Sequence, residues 1–153
     1  MELAKPTLIL LIGIPASGKS TFARRYAEAG WPCLSLDVLH SRTTELRQYR
    51  QLVEKRCNIL IDNTNVTISE RSRYLAPAKA AGYRTIGYYF QSVIKDCLAR
   101  NMLRTGKACV PQVGLIARAK SLELPSYAEE FDELYYVTIV ENGFNVVNWE
   151  DEK

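Results

Sequence analysis

Residues 7–21 read Thr-Leu-Ile-Leu-Leu-Ile-Gly13-Ile-Pro-Ala-Ser-Gly18-Lys19-Ser20-Thr21. A continuous apolar run leads into Gly13–Ser20, which matches GxxxxGK[ST] at every position, and a helix-compatible stretch follows. Small residues let successive amides turn inward around a β-phosphate, and a helix N-terminus adds its partial positive charge. Gly13 and Gly18 permit backbone angles that a Cβ obstructs. In this pattern Lys19 bridges the β- and γ-phosphates and the Ser20 hydroxyl binds Mg²⁺. The expected nucleotide contacts are therefore Gly13, Ala16, Ser17, Gly18, Lys19, Ser20 and Thr21. ATP is the expected donor, with GTP as the alternative. A chance glycine-rich turn would not need the full match in a strand–loop–helix context.

Outward from this segment, short apolar runs alternate with amphipathic stretches, which predicts an α/β fold with a largely parallel sheet. Strands are expected at Thr7–Ile12, Pro32–Leu36, Ile59–Asp62, Arg84–Phe90 and Tyr135–Val140. Helices are expected at Lys19–Ala29, Thr43–Arg56, Ser69–Ala81, Val93–Leu103 and Gln112–Leu122, the fourth helix starting a small lid. Gly30 and Gly82 sit where helix C-caps belong, and Ser69 suits a helix start. Gly143–Trp149 reads as a short edge strand.

Composition bounds the alternatives. The 153 residues are expected to form one P-loop domain, 47% hydrophobic and 24% charged, which is a globular mixture. No apolar run approaches the roughly 20 residues of a bilayer span, and the first residues lack a secretory pattern, so a cytoplasmic location without membrane is expected. Four scattered cysteines and one histidine supply a zinc site poorly and fit free thiols in a reducing compartment. The net charge of +3 tilts only mildly toward polyanionic partners.

The Asn-Lys-x-Asp base reader of guanine-nucleotide switches and the Leu-Ser-Gly-Gly signature of transporter ATPases are both missing. A small phosphotransferase is left, and it needs an acceptor-side carboxylate and cations over the moving phosphoryl group. Asp37 closes the expected second strand, at the sheet edge where ligands bind, and suits a general base; a helix N-cap is the other role open to it. Asp62 ends the third strand and can hold Mg²⁺ or orient Ser20, or else form a local Asx turn. Arg100 and Arg104 lie four apart, followed by Gly106 and a new helix near Gln112, as a cationic lid requires; a solvated basic face has the same spacing. His40, the sole histidine, is a candidate for proton or phosphate handling at the acceptor and equally for a surface role.

The ordered set resembles the kinase domain of polynucleotide 5′-hydroxyl kinases of the phage and bacterial end-healing type. The resemblance is carried by Gly13–Thr21, Leu36-Asp37, Asp62-Asn-Thr-Asn65 with Glu70-Arg71, Arg100-Asn-Met-Leu-Arg104 through Pro111, and Leu124-Pro125 with Glu129–Asp132. It implies a P-loop kinase fold acting on a DNA or RNA 5′ end. Asp37 would be the base and Arg104 the lid arginine on the donor phosphates. Asp62, Thr64 and Asn65 would form the floor, and His40, Arg42, Thr64, Asn65 and Arg71 would contact the acceptor beside Asp37. Where the phage enzyme has an arginine three residues after the base, this chain has His40, with Arg42 two further on. The stretch from Asp37 to Asp62 is also shorter here. Two rival readings share these residues in part: a small-molecule kinase for a sugar, nucleoside or antibiotic, and an ATP-binding regulatory module acting through a partner.

Overall fold

A computed structural model describes residues 5–105, 109–141 and 143–150, with residues 37 and 38 described by their backbone alone. The apolar run becomes strand β1 (Thr7–Ile12), buried along nearly its whole length. It pairs in parallel with β3 (Ile59–Asp62) on one side and β4 (Arg84–Phe90) on the other. The sheet has the order β2-β3-β1-β4-β5-β6, with β2 at Cys33–Leu34, β5 at Glu133–Val140 and β6 at Gly143–Asn148. The first five of these strands are parallel, and β6 returns antiparallel to β5 as the edge strand expected from the tail.

Helices cover both faces because β1 is apolar on both. Helix α1 (Lys19–Glu28) lays Phe22 and Ala23 on Ile9, Leu11, Phe90 and Val137. On the other face α3 (Arg42–Glu54) and α4 (Ile68–Ala80) set Tyr49, Tyr74 and Leu75 against Leu8, Leu10 and Ile12. The helices α5 (Ile94–Met102) and α6 (Gln112–Ser121) stand beyond the C-terminal edge. Gly30 follows the C-cap of α1 at φ +93°, its N–H bonded to Ala27 O at 3.0 Å while Trp31 N–H reaches Tyr26 O at 2.9 Å. Gly82 repeats this geometry after α4.

Among the boundaries that differ from the sequence expectation, three lie near the site. The second strand stops at Leu34, and residues 36–39 wind into a one-turn helix, α2 (Leu36–Leu39). Asp37 therefore sits in a helical turn beyond the strand, not at its end. The turn closes through Leu39 N to Ser35 O and His40 N to Leu36 O, at 3.0 and 2.7 Å, while the Leu36 N–H is held by Asn63 Oδ1. Helix α4 starts earlier than Ser69 because Thr67 is its cap, its hydroxyl accepting from Glu70 N at 3.1 Å. Helix α3 likewise begins at Arg42, capped by Ser41.

Among the described residues no helix is long and apolar enough to cross a membrane. The four cysteines are free thiols; Cys97 is buried and Cys109 exposed.

Candidate active site

The loop after β1 arrives at the C-terminal edge of the sheet with no room for larger residues. A Cβ on Gly13 would meet Ser17 Oγ at 2.7 Å and the Phe90 carbonyl at 3.2 Å. Gly18, the N-cap of α1, sits at φ +104° with the Ile139 and Phe144 side chains just over 3 Å from an added Cβ. Ala16 takes a positive φ of 65° to complete the turn. Lys19 is almost buried, and its ammonium lies across the loop, donating to Ile14 O at 2.8 Å and Ser17 Oγ at 3.3 Å. The lysine is thus already folded over the space that the loop encloses.

Four consecutive residues at the end of β3 fasten the rest. Asp62 Oδ2 accepts from the Ser20 hydroxyl at 3.0 Å. Asn63 Oδ1 accepts from Leu36 N at 2.8 Å and so anchors the turn carrying Asp37. Thr64 O accepts from Gly13 N at 2.9 Å, fixing the start of the phosphate loop. The buried Asn65 donates to Leu11 O at 2.8 Å, in a left-handed conformation at φ +47°. One tetrapeptide holds the phosphate loop, the hydroxyl expected on Mg²⁺, the end of β1 and the turn bearing Asp37.

Ser20 and Asp62 suit Mg²⁺, which keeps most of its waters and takes few protein oxygens. No cluster of three or more His, Cys, Asp or Glu residues able to hold a metal occurs among the described residues; with a nucleotide bound, its phosphate oxygens would share the shell with these two side chains.

A cavity of about 300 Å³ opens beside the loop. Ala16, Gly18 and Thr21 form its base, Arg100 and Arg104 its cationic rim, and Ile139 and Phe144 an apolar wall. That combination fits a nucleoside whose phosphates lead toward Lys19. The sequence reading placed Arg100 and Arg104 here but missed the wall, since the β5–β6 hairpin carries no motif. Arg100 also braces the loop itself, its Nε donating to Ala16 O at 2.6 Å. Burial pushes the neighbouring Cys97 thiol upward, so it stays protonated beside Arg100 and is a packing group. The two lid helices are joined by Asn101, whose amide exchanges two hydrogen bonds with the Val110 backbone at 2.6 and 2.8 Å. The lid turn at Gly106-Lys107 lies outside the described residues.

Other assignments are redirected by the geometry. Arg71 is fully buried; it donates to Glu129 at 2.7 and 3.1 Å and to Asn65 O at 2.9 Å. A guanidinium enclosed in this way braces the floor from beneath and does not face an acceptor. Thr64 is engaged by Arg118 of α6, which the sequence did not single out. Arg118 reaches Thr64 Oγ1 at 2.8 Å and both Glu70 oxygens at 2.8 and 2.7 Å. Its only local signal was a cation on the expected lid helix. Arg42 donates to the buried Glu45 at 3.1 Å and to the Tyr74 hydroxyl at 2.6 Å, leaving its side chain about a third exposed. His40 is exposed at the end of α2, with φ +59°.

A phosphate loop on a five-strand parallel core, a serine–carboxylate pair and an arginine-bearing helical lid define a P-loop kinase fold. Residues 8–122 match the AAA_33 family, an AAA domain, and the chain belongs to it. It is 30% identical over 142 residues to a putative bifunctional polynucleotide phosphatase/kinase of Acanthamoeba polyphaga mimivirus, covering 88% of this chain and 34% of the relative. The bifunctional polynucleotide phosphatase/kinase of Schizosaccharomyces pombe is 23% identical, with 81% and 31% covered. The chain thus spans about a third of the length of these curated relatives. A chain of the solved Pnkp1/Rnl/Hen1 RNA repair complex superposes with a TM-score of 0.67 at 22% identity, over 86% of this chain and 48% of that one, a likeness of fold.

Proposed function

We propose that the protein transfers the γ-phosphate of ATP to a hydroxyl, and that the acceptor is the 5′-hydroxyl of a DNA or RNA end. The supporting observation is the Asp62–Asn65 tetrapeptide, which ties the donor loop and the acceptor-side turn to one rigid floor. Phosphoryl transfer needs positioning and charge screening more than covalent help, and a shared floor supplies the first. Lys19 and Arg104 supply positive charge around the transferring group, and Mg²⁺ held by Ser20 and Asp62 would neutralise the phosphates when bound. Asp37 takes the proton of the attacking hydroxyl as its oxygen bonds to the γ-phosphorus and the bond to the β,γ-bridging oxygen breaks, releasing ADP. Two relatives named polynucleotide phosphatase/kinase support the choice of acceptor.

The test offers γ-labelled ATP and Mg²⁺ with 5′-hydroxyl DNA and RNA oligonucleotides beside a panel of sugars and nucleosides. Label is expected on the oligonucleotides, and a pre-existing 5′-phosphate should block it. Label on a free sugar or nucleoside with inert oligonucleotides would overturn the acceptor assignment and favour a small-molecule kinase.

A further inference from the structure

Glu45, on α3, is a carboxylate with no solvent exposure, and the donor loop makes no use of it. It receives three groups. The Tyr74 hydroxyl donates to Oε1, Arg42 Nη1 donates to the same oxygen at 3.1 Å, and Asn63 Nδ2 donates to Oε2 at 2.6 Å. Asn63 Nδ2 also lies 3.2 Å from the Tyr74 oxygen. These bonds allow one orientation of the Asn63 amide: nitrogen toward Glu45 and Tyr74, oxygen toward the Leu36 N–H at 2.8 Å. Leu36 is the first residue of α2, the single turn that carries Asp37.

A one-turn helix has little stability of its own, because nucleation fixes several dihedrals for one hydrogen bond. Its first N–H is one of the donors that no helical carbonyl can satisfy. Asn63 therefore does for α2 what a cap residue does for a longer helix, from 27 residues away in sequence. Both oxygens of this buried carboxylate are hydrogen-bonded and one is paired with Arg42, as an acidic group enclosed in a core requires.

We propose that Glu45, Tyr74 and Asn63 form a positioning relay that sets the backbone turn bearing Asp37 relative to the phosphate loop, with Asn63 as its joint. None of the three touches reactants; they act through the Leu36 amide. This assignment rests on the reading of Asp37 as the acceptor-side base, so the test includes a measurement that is independent of catalysis.

The variants are Asn63→Ala and Tyr74→Phe, each compared with wild type by amide hydrogen exchange at Leu36, by affinity for a fluorescent ATP analogue and by transfer to a 5′-hydroxyl oligonucleotide. Asn63→Ala should speed exchange at Leu36 by tens-fold while β1 and β4 stay protected. Its kcat should fall several-fold with nucleotide affinity held within about twofold, because the turn bearing Asp37 loses the bond that caps it while the phosphate loop keeps its own anchors. Tyr74→Phe, which keeps the ring in the core and removes one restraint on Asn63, should show the same pattern more weakly. It carries the test if Asn63→Ala does not fold. Unchanged exchange at Leu36 would overturn the relay. Equal loss of nucleotide affinity and kcat would also overturn it, as that would mark general collapse of the floor. Loss of Leu36 protection in a protein inert toward every acceptor would leave the relay standing and defeat the kinase reading alone.

Discussion

Single residues divide into those whose chemistry faces the phosphates and those that brace them. Lys19 belongs to the first kind: its ammonium already lies over the loop, 2.8 Å from Ile14 O. Lys19→Ala should lower turnover by about two to three orders of magnitude, since it removes a preorganised charge from a water-poor site. Initial rates with any productive acceptor check this, and wild-type turnover would remove the loop from the mechanism. Arg71 is of the second kind. Its motif position beside Glu70 suggested an acceptor contact, but burial decides otherwise: both ends of the fork end on Glu129 and on Asn65 O. Arg71→Ala leaves Glu129 as a poorly partnered carboxylate against the core and should cost about 3–5 kcal/mol of stability. Urea unfolding of the variant measures it. A shift below about 1 kcal/mol, with weakened acceptor affinity, would restore the binding role.

At the scale of elements, the lid is held at its two helices in different ways. Helix α5 meets the phosphate loop through Arg100 and Ala16 O, whereas α6 meets the floor through Arg118, Thr64 and Glu70. Arg104 on the rim should count most when charge spreads over the transferring group, so Arg104→Ala should reduce kcat more than nucleotide affinity. Arg104→Lys should recover only part of kcat, because an ammonium lacks the planar fork; steady-state kinetics beside equilibrium titration separate the two. The elements also show where the sequence was informative. The β1–loop–α1 unit was legible from Thr7 to the start of α1 because its motif is contiguous and its glycines are needed locally, even though Asp62, Thr64 and Arg100 bond to it from far along the chain. Strand β3 was legible as a contiguous apolar run, and the glycines after α1 and α4 from the local turns they close. The turn at 36–39 was not: its decisive bond comes from Asn63, and no local pattern marks a partner so distant. Thr67 and Ser69 are equally able to cap α4 by residue type, and the choice falls to where Glu70 N–H points. Arg118 and the β5–β6 wall of the nucleoside cavity likewise acquire meaning only once remote elements meet.

On the scale of the whole molecule, the question is what binds beyond the reacting hydroxyl. A sugar acceptor would end at the Asp37 turn, whereas a nucleic acid strand must continue past it over the protein surface. The chain leaving that turn enters α3, whose outer side carries Arg47 and Arg50 one helical turn apart. They share one shallow, open surface of the helix with Thr43, Leu46, Gln51 and Glu54. Arg42, at the start of the same helix, spends part of its guanidinium on Glu45 and Tyr74, so a strand bound here would be gripped more by the two outer arginines. Each phosphate contact to a single strand releases condensed counterions and adds about 0.7 to the slope of log affinity against log salt. Oligonucleotide affinity should therefore fall as salt rises, and replacing Arg47 and Arg50 together by Ala should flatten that slope by about 1.4. A nucleoside 3′-monophosphate, too short to reach α3, should keep the same slope with the wild-type and the double-variant protein. Arg42→Ala should instead weaken affinity together with kcat, because it also unbalances the buried Glu45. Titrations over a series of salt concentrations with both ligands decide the matter. If the double variant binds long and short acceptors with unaltered slopes, α3 is an ordinary solvated face and the strand takes another path.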